Sequence, residues 1–412
     1  MGAASIVRCT NGHPLRHDMN VLVLNCGSSS AKFAVLDAVT GARRLLGQAQ
    51  RLGSPEATLE WTFADEKHVR PMPGADHDAA LREAVALLGS RGLADTLVGV
   101  GHRVVHGGAR FSGSMRITPE VVRHIEACVP LGPLHNPPNL LGIRIAGELL
   151  PALVQVAVFD TAFHQTMPAR AYTYPVPLEW REAHGVRRYG FHGTSHRYVA
   201  RQAQQMLGLG PDAGALVTAH LGNGCSATAV LDGRSVDTTM GLTPLEGLVM
   251  GTRSGSVDPA LIGHVSRATG ESPDRVLDAL NKRSGLLGLS GRSNDLRTLE
   301  ADADAGDPAA ALAVEVFAYV AAKQLAGLVV ALGRLDALVF TGGIGENGVA
   351  MRARIVGLLG FLGLELDPAA NATAVRGRAG RITRTTRPQA LVVPTDEELM
   401  IAHDTAALVA AP

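Results

Sequence analysis

The feature that most constrains the fold of this chain is a short pattern that occurs twice. The first copy is VLVLNCGSSSAKFAVLD at residues 21–37, and the second is LVTAHLGNGCSATAVLD at residues 216–232. Each copy is an apolar run, a turn of small polar residues and a second alternating run, which is typical of a β-hairpin. Aligning Gly27 with Gly222 makes the closing Ala-Val-Leu-Asp identical. Small turn residues let backbone N–H groups converge on an anion, so the repeat predicts a duplicated domain that holds a polyphosphate from two sides.

A second pair of segments supports the duplication. VQVAVFDTAFH at residues 154–164 is similar to LDALVFTGGIGEN at residues 335–347, and each is a continuous apolar run followed by a polar turn. Such runs are typical of strands covered by helices on both faces, and ligands bind at the carboxyl ends of those strands. Apolar residues spaced three and four apart also predict helices. The predicted helices are residues 120–129, 195–207, 309–332 and 397–411, the last of which is expected to pack back on the first half.

Length and composition limit the class of protein. A chain of 412 residues is long for one core, so two domains are expected. The apolar share of 46% and the charged share of 18% indicate a globular protein. Because 38 basic residues balance 38 acidic ones and aromatics are only 4%, we expect neither a nucleic acid nor a membrane as partner.

The cysteines and two segments of the chain bear on its location. The four cysteines include no CxxC pair, which argues against a disulfide framework or a zinc site and favours a cytoplasmic protein. Residues 1–19 lack the apolar core of a signal peptide and are expected to be a disordered extension. The apolar run at residues 309–332 contains Glu315 and Lys323, so we expect a buried core helix rather than a membrane span.

Several short blocks combine glycine with charged or imidazole side chains, which an ordinary apolar core does not require. They are GHRVVHGG (101–108), PLHNPPN (133–139), FDTAFHQT (159–166), GFHGTSH (190–196), GTRSGSVDP (251–259), FTGGIGEN (340–347) and PTDEE (394–398). Together with NCGSSSAKF in the first hairpin, these blocks resemble the acetokinase family, within the acetate and sugar kinase/heat-shock/actin superfamily. The resemblance covers essentially all of residues 21–407, in the same order, and is therefore specific.

The resemblance implies an α/β fold. It has two duplicated actin-like (ribonuclease H-like) domains with mixed sheets flanked by helices, and the active site lies in the cleft between them. Residues 20–160 with 398–412 are expected to form the N-terminal domain, on the acetate and metal side. Residues 161–397 are expected to form the C-terminal domain, on the nucleotide side.

Charge neutralisation explains why two arginines stand out. Transfer of a phosphoryl group to a carboxylate brings an anion against a polyphosphate, and one like-charge pair at about 4 Å costs about 4 kcal/mol at an effective dielectric near 20. Arginine suits the planar geometry of both groups. Arg103 and Arg253 each lie in a Gly-flanked turn, one in each half of the chain. We predict that both are catalytic; the alternative for each is a surface arginine in an ion pair.

Asp160 ends a predicted buried strand, where α/β sites place a metal-linked carboxylate. Mg²⁺ needs only one or two carboxylates beside phosphate oxygens and water. Asp160, Glu397 and Asn25 meet that requirement, and the resemblance assigns them to the Mg²⁺ and γ-phosphate environment, where Mn²⁺ is expected to substitute. The alternatives are a helix N-cap for Asp160 and a first-turn helix position for Glu397.

A carboxylate acceptor needs no general base, because it titrates near about 4 and is ionised at neutral pH. Histidines are then free to stabilise charge. The resemblance implies that His192 donates a hydrogen bond to the moving phosphoryl group, with secondary roles for His135 and His220. A structural role is the alternative, above all for His135.

The resemblance also implies binding residues for both substrates. The acetate pocket is expected to consist of Arg103, Val105, Leu134, Phe191 and Pro244. The nucleotide is expected to contact Lys32, His220, Leu221, Gly222, Asn223, Gly224, Asp295, Leu296, Arg297, Gly342, Gly343, Ile344, Gly345 and Asn347. Two positions depart from the family: Leu296 stands where many relatives carry Phe, which removes ring stacking on the base. Asp396 stands where Asn is frequent, which adds a negative charge near the metal region.

The resemblance implies a homodimeric acetate kinase of acetyl-CoA biosynthesis, and the cysteine usage favours the cytoplasm. The enzyme would convert ATP and acetate reversibly to ADP and acetyl phosphate by direct in-line transfer with Mg²⁺. A propionate or butyrate kinase is the alternative within the family, and a nucleotide-switched actin-like protein without kinase activity is the alternative outside it. The sequence has no GxxxxGK[ST] motif, which argues against a Walker-type NTPase.

Overall fold

The computed structural model describes residues 19–411, so the predicted extension at residues 1–19 lies outside the described residues except for Met19. In the described part of the chain, the strands form two mixed sheets, one in each half. The first sheet contains β1 (Asn20–Cys26), β2 (Ser30–Asp37), β3 (Arg43–Gln50), β4 (Thr58–Phe63), β5 (Glu66–Pro71), β6 (Leu97–Val104), β7 (Met115–Arg116) and β8 (Val154–Phe159). The second contains β9 (Ala215–Leu221), β10 (Cys225–Leu231), β11 (Arg234–Thr238), β12 (Ala337–Thr341), β13 (Gly380–Arg381) and β14 (Gln389–Val392).

Both predicted hairpins are present, but their turns differ in length. β1 pairs with β2, and β9 pairs with β10, each antiparallel. Four residues separate Cys26 from its partner Ala31, whereas three separate Leu221 from its partner Cys225. The two hairpins therefore differ in register by one residue, although their sequences align without a gap.

The two sheets share a topology that the sequence comparison identified only in part. The first sheet contains the order β3-β2-β1-β6-β8, and the second the order β11-β10-β9-β12-β14. In each, three antiparallel strands are followed by two parallel ones. By this topology β12 corresponds to β6, and β8 corresponds to β14. The interpretation of residues 154–164 and 335–347 as equivalent strands is therefore wrong, because similar apolar runs occur at two different places in the repeat.

Helices cover both sheets, and the four predicted helices correspond to α2, α6, α11 and α15. The helices are α1 (His77–Ser90), α2 (Pro119–Ala127), α3 (Asn136–Leu149), α4 (Ala169–Tyr172), α5 (Leu178–His184), α6 (Gly193–Met206), α7 (Ala260–Thr269), α8 (Pro273–Lys282), α9 (Gly285–Ser290), α10 (Leu296–Asp304), α11 (Pro308–Leu332), α12 (Gly342–Asn347), α13 (Val349–Leu358), α14 (Pro368–Thr373) and α15 (Glu397–Ala410). Local sequence explains where several begin. Asp307, for example, caps α11 by accepting the Ala310 N–H at 2.9 Å, and Pro308 occupies the first helical position.

Helix α11 is long and apolar enough, by length and composition, to cross a membrane. Its buried side chains instead belong to the core of the second half: Phe317 and Leu325 lie in one apolar cluster with Val217 and Phe340 of the sheet. This packing agrees with the expectation of a core helix.

Helix α15 returns to the first half of the molecule, as expected. Ile401 and Ala402 pack against Val21 and Val158 in one apolar cluster. The backbones approach closely because β6 carries glycine here: a Cβ on Gly101 would lie 2.4 Å from Thr405 Oγ1. This contact places the first residue of α15 beside the carboxyl end of β6.

Candidate active site

A cavity of about 340 Å³ lies at the carboxyl ends of β1, β6, β8 and β9. Residues of both halves line it, which agrees with the expected position of the site. They are Asn25, Cys26, Gly27, Ser30, Lys32, Arg103, Val105, His135, Asn139, Asp160, Phe191, His192, His220, Asn223, Gly224, Pro244 and Arg253. All four residues predicted to be catalytic are among them, and we call this space the central cavity.

Arg103 lies within strand β6 and not in the turn that the sequence predicted, and its guanidinium is held by a buried carboxylate. Its Nε and Nη2 donate to the two oxygens of Asp160 at 3.0 and 2.7 Å. Glu397 Oε2 lies 3.8 Å from the Arg103 Nε. Burial lowers the pKa of Arg103, but Asp160 and Glu397 more than offset that effect, so the pKa lies above its ordinary value. The Asp160 side chain thus accepts from Arg103 and does not serve as the N-cap that sequence left open. Arg103 is in an ion pair, but one that lines the cavity rather than the outer surface.

Arg253 enters the same cavity without a carboxylate partner among residues 19–411. Its Nη1 donates to the carbonyl oxygen of Pro244 at 2.6 Å, which fixes the side chain without neutralising it. Burial lowers its pKa, as expected for a cation that is poorly compensated. A Cβ on Gly224 would lie 2.7 Å from its Nη2, so the glycine of the second hairpin makes room for this guanidinium.

Both guanidinium groups act on the same histidine. Burial, then Arg253, then Arg103 lower the pKa of His135, which places both cations within electrostatic reach of one side chain. Lys32 also lines the cavity, so three cations face Asp160 as the only carboxylate of the lining. The described lining therefore has a surplus of positive charge, which suits an anionic ligand.

Two stacked histidines form the opposite wall. His192 has a left-handed backbone conformation with φ of 55°, just before α6, and its ring lies 4.5 Å from that of His220. Burial, His220 and Arg103 hold the pKa of His192 well below its ordinary value, so the ring is neutral at neutral pH. His192 Nδ1 contacts Ser226 Oγ at 2.9 Å, and His220 Nδ1 contacts Ser195 Oγ at 2.8 Å.

A neighbouring cavity of about 430 Å³ shares Asn25, Lys32 and Arg103 with the central one and contains Glu397. Its donors are carboxylate and amide oxygens, the type that Mg²⁺ prefers. No group of three or more His, Cys, Asp and Glu suited to a metal ion occurs among residues 19–411. The donor set therefore fits a cation that takes one or two carboxylates and completes its shell with phosphate oxygens and water, as Mg²⁺ does.

The added carboxylate of Asp396 is compensated. Arg43 Nη2 donates to Asp396 Oδ2 at 2.7 Å, and Asp396 Oδ1 accepts the Leu399 N–H at 3.0 Å as the N-cap of α15. Its negative charge therefore acts on Arg43 and on the helix, which reduces its effect on the metal region.

The third cavity, of about 530 Å³, adjoins the central one at Asn223. Eight of the residues predicted to bind nucleotide line it: Gly222, Asn223, Asp295, Leu296, Arg297, Gly343, Ile344 and Asn347. Lys32, His220 and Gly224 line the central cavity instead. Leu221, Gly342 and Gly345 line neither; a Cβ on Gly342 would lie 2.8 Å from Leu221 O, so these residues form the close packing behind the wall.

The model of the acetokinase family matches residues 20–403. The chain belongs to the acetokinase family. It is 56% identical over 389 residues to the acetate kinase of Ectopseudomonas mendocina, which covers 94% of this chain and 98% of that protein. The crystal structure of Porphyromonas gingivalis acetate kinase has a TM-score of 0.89 at 43% identity and covers 95% of this chain and 99% of its own.

A crystal structure of a propionate kinase from Francisella tularensis subsp. tularensis SCHU S4 is equally similar. Its TM-score is 0.90 at 42% identity, with 94% of this chain and 98% of that chain covered. Likeness to these kinases confirms the predicted α/β architecture of two mixed sheets flanked by helices.

One residue of the expected acetate pocket does not line the central cavity. Val105 and Phe191 are almost fully buried at its wall, and Pro244 lies beside them. Leu134 is 52% exposed and lies outside the lining, whereas the adjacent His135 lies within it. The turn before α3 directs one of two neighbouring side chains inward, and sequence spacing does not determine which one.

In this acetokinase, buried polar side chains that sequence analysis missed hold the site together. Asn139 of α3 accepts the Val105 N–H at 3.0 Å and donates to Cys26 O at 2.8 Å, joining the ends of β6 and β1. Glu346 of α12 accepts from the N–H groups of Gly342 and Thr395 at 3.0 and 3.1 Å, joining the ends of β12 and β14. Asn139 and Glu346 lie inside the PLHNPPN and FTGGIGEN blocks, so the blocks themselves were the available signal.

Proposed function

We propose that this protein transfers the γ-phosphoryl group of ATP to acetate and catalyses the reverse reaction from acetyl phosphate and ADP. The observation that carries the proposal is the meeting of Arg103 and Arg253, from opposite halves, in one cavity. That cavity is continuous on one side with the predicted nucleotide residues and on the other with Glu397.

The charges of the cavity support an in-line transfer between two anions. Acetate and the γ-phosphoryl group repel each other, and the guanidinium groups offset this repulsion while they orient both oxygens. Arg253 has no carboxylate partner in the described chain and is the cation available to the transferring group. Charge in the transition state lies mainly on the equatorial phosphoryl oxygens, where His192 would add a hydrogen bond.

We further propose that Glu397, Asp160 and Asn25 hold Mg²⁺, for which Mn²⁺ substitutes. The ion supplies charge neutralisation to the phosphate oxygens of the nucleotide when it is bound. Glu397 suits this role because its nearest cation, Arg103, already has two bonds to Asp160. The first-turn position in α15 and this role are compatible, since α15 itself brings Glu397 to the neighbouring cavity.

The acyl group would lie against Val105, Phe191 and Pro244. One methylene in such a pocket changes the transition-state energy by about 1–3 kcal/mol, so we expect acetate to be preferred over propionate by roughly 10- to 200-fold. Propionate as the preferred acid is the second candidate, because a structure as similar as the Porphyromonas gingivalis acetate kinase is that of a propionate kinase.

The decisive assay is trapping of the acyl phosphate by hydroxylamine, with ATP and each of acetate, propionate and butyrate in turn. We expect acyl hydroxamate from acetate, dependence on Mg²⁺, and a higher kcat/KM for acetate than for the longer acids. A higher kcat/KM for propionate or butyrate would show that the longer acid, and not acetate, is the preferred substrate. ATP hydrolysis without any hydroxamate would contradict the kinase assignment and favour a nucleotide-switched protein.

The proposal extends to the assembly and its location. We propose a cytoplasmic homodimer whose N-terminal domain comprises residues 20–160 and 398–412 and whose C-terminal domain comprises residues 161–397. Sedimentation equilibrium would show about twice the mass of one chain if the dimer forms, and one chain mass if it does not.

A further inference from the structure

A chain of four side chains leads from the central cavity into the core of the second half. His192 Nδ1 contacts Ser226 Oγ at 2.9 Å, and the same oxygen contacts His196 Nε2 at 2.7 Å. His196 Nδ1 contacts Thr218 Oγ1 at 2.7 Å, and Thr218 Oγ1 lies 3.4 Å from the carbonyl oxygen of Thr228. Thr218, Ser226 and His196 are completely buried, so bulk water does not take part in these bonds.

Because each hydroxyl has one proton, the protons of this chain are ordered as a unit. Burial holds the pKa of His192 and His196 well below the ordinary value, so both rings are neutral and each has one N–H. In one order His192 Nδ1 donates to Ser226, Ser226 donates to His196 Nε2, and His196 Nδ1 donates to Thr218. In the other order Thr218 donates to His196 Nδ1, His196 Nε2 donates to Ser226, and Ser226 donates to His192 Nδ1.

The two orders differ at their ends. In the first order the Thr218 hydroxyl has only the Thr228 carbonyl oxygen at 3.4 Å, which is long for an O–H···O bond, and His192 presents a bare Nε2 to the cavity. In the second order Thr218 donates to His196 at 2.7 Å, and the proton of His192 lies on Nε2, facing the cavity. Only the second order pairs the Thr218 hydroxyl proton at a short distance, and it also presents an N–H of His192 to the cavity.

We propose that Ser226 and His196 are positioning residues that hold His192 in the tautomer with its proton on Nε2. This inference rests on the proposed function for its catalytic consequence, since His192 would donate that proton in a hydrogen bond to the transferring phosphoryl group. The tautomer itself is a property of the protein without substrates.

The protein contains a second buried serine–histidine pair that serves as a control. Ser235 Oγ lies 2.9 Å from His164 Nδ1, so it makes the same type of buried serine–histidine bond as Ser226. His164 Nε2 lies 3.0 Å from the carbonyl oxygen of Phe191, which only accepts, so this histidine must carry its proton on Nε2. Neither Ser235 nor His164 lines the central cavity.

The first experiment measures the tautomer directly. In the protein with ¹⁵N-labelled histidine, two-bond ¹H–¹⁵N correlations of His192, assigned with the His192→Gln variant, distinguish the two neutral forms. We expect the Nε2–H pattern for His192, as for His164. An Nδ1–H pattern would overturn the inference, whether or not the protein phosphorylates acetate.

The second experiment is a double-mutant cycle on kcat and KM. We expect Ser226→Ala to lower kcat by roughly tenfold or more, with both KM values within twofold, by analogy with the partners that orient metal-binding histidines, whose loss costs about 10- to 100-fold. In a His192→Ala background the same change should leave kcat within twofold, because Ser226 acts through His192. Ser235→Ala should leave kcat within twofold in both backgrounds. It should lower the melting temperature about as much as Ser226→Ala does.

An equal loss from Ser226→Ala with and without His192 would assign Ser226 a purely structural role. So would an equal loss of kcat in Ser235→Ala. Either result overturns the positioning role even where the acetate kinase assay succeeds.

Discussion

Arg103 and Arg253 are the same residue type in two electrostatic environments. Arg103 is joined by two hydrogen bonds to Asp160, whose side chain is buried, whereas Arg253 donates to a carbonyl oxygen and keeps its full charge. Loss of the Arg103 side chain should therefore affect the stability of the fold more than loss of Arg253, although both side chains face the central cavity.

For Arg253→Ala we expect a loss of roughly a thousandfold in kcat, since an arginine on the transferring phosphoryl group contributes effects of that size. Its hydrogen bond to Pro244 is replaceable by water, so the melting temperature should change by only a few degrees. Steady-state kinetics and calorimetry measure the two quantities. Near-normal kcat in a folded variant would exclude Arg253 from the reaction.

Arg103→Ala should lower kcat to a similar extent and also destabilise the protein. The change leaves the Asp160 carboxylate buried without its cation, and breaking such a pair costs about 3–5 kcal/mol. Removing both charges in Arg103→Ala/Asp160→Asn should recover much of the stability but none of the activity. Urea unfolding of both variants checks this, and equal stability of the single and double variants would contradict it.

At the scale of elements, the contact between β6 and α15 positions the site. Gly101 and Thr405 bring the strand and the helix together, and Glu397 begins the same helix. A change far from any cavity can therefore move a residue of the proposed metal site.

Gly101→Ala should push α15 away from the sheet. Its Cβ would lie 2.4 Å from Thr405 Oγ1 and 2.6 Å from Ile401 Cγ2, and overpacking of this kind costs about 1–3 kcal/mol. We also expect a higher Mg²⁺ requirement, measured as the Mg²⁺ concentration for half-maximal kcat. Gly147→Ala in α3 is the matched control: nothing lies within 4 Å of its Cβ, and alanine is the better helix former, so its stability should stay equal or rise. If Gly101→Ala is destabilised but its Mg²⁺ requirement is unchanged, the position of α15 does not control metal binding, and this part of the prediction is wrong.

At the scale of the whole molecule, buried neutral histidines make stability depend on pH. Burial lowers the pKa of His102, His106 and His164 to about 4 each. The unfolded chain binds these protons near its ordinary pKa of about 6.5 while the native state does not, so stability is lost as pH falls from about 6.5 toward about 4. Each histidine contributes about 2 kcal/mol of this loss between about pH 7 and about pH 5.

Urea unfolding across that range measures the slope. His102→Gln, which keeps a donor for Gln155, should flatten the slope by one histidine's share. An unchanged slope in this variant would show that His102 does not titrate differently in the folded and unfolded states.

The central cavity has walls from both halves, so we expect the cleft to close on its ligands. X-ray scattering should give a smaller radius of gyration with ADP, acetate and a γ-phosphate mimic than without them. In Arg253→Ala the contraction should be smaller, because one of the two bridging cations is gone. Identical profiles with and without ligands would argue against closure.

The sequence alone determined the duplication, the helices α2, α6, α11 and α15 and most of the residues around the central cavity. Hairpins, helical periodicity and Gly-rich turns are local patterns, so each is visible within a few residues. The tertiary structure alone decided the strand order that pairs β12 with β6 rather than with β8, and the inward direction of His135 instead of Leu134. It also decided the ion pair of Arg103 with Asp160, which lie 57 residues apart in the chain. Such contacts depend on which strands become neighbours and on one-residue differences in turns, and the physical reason is that packing over the whole sheet, rather than any local pattern, fixes them.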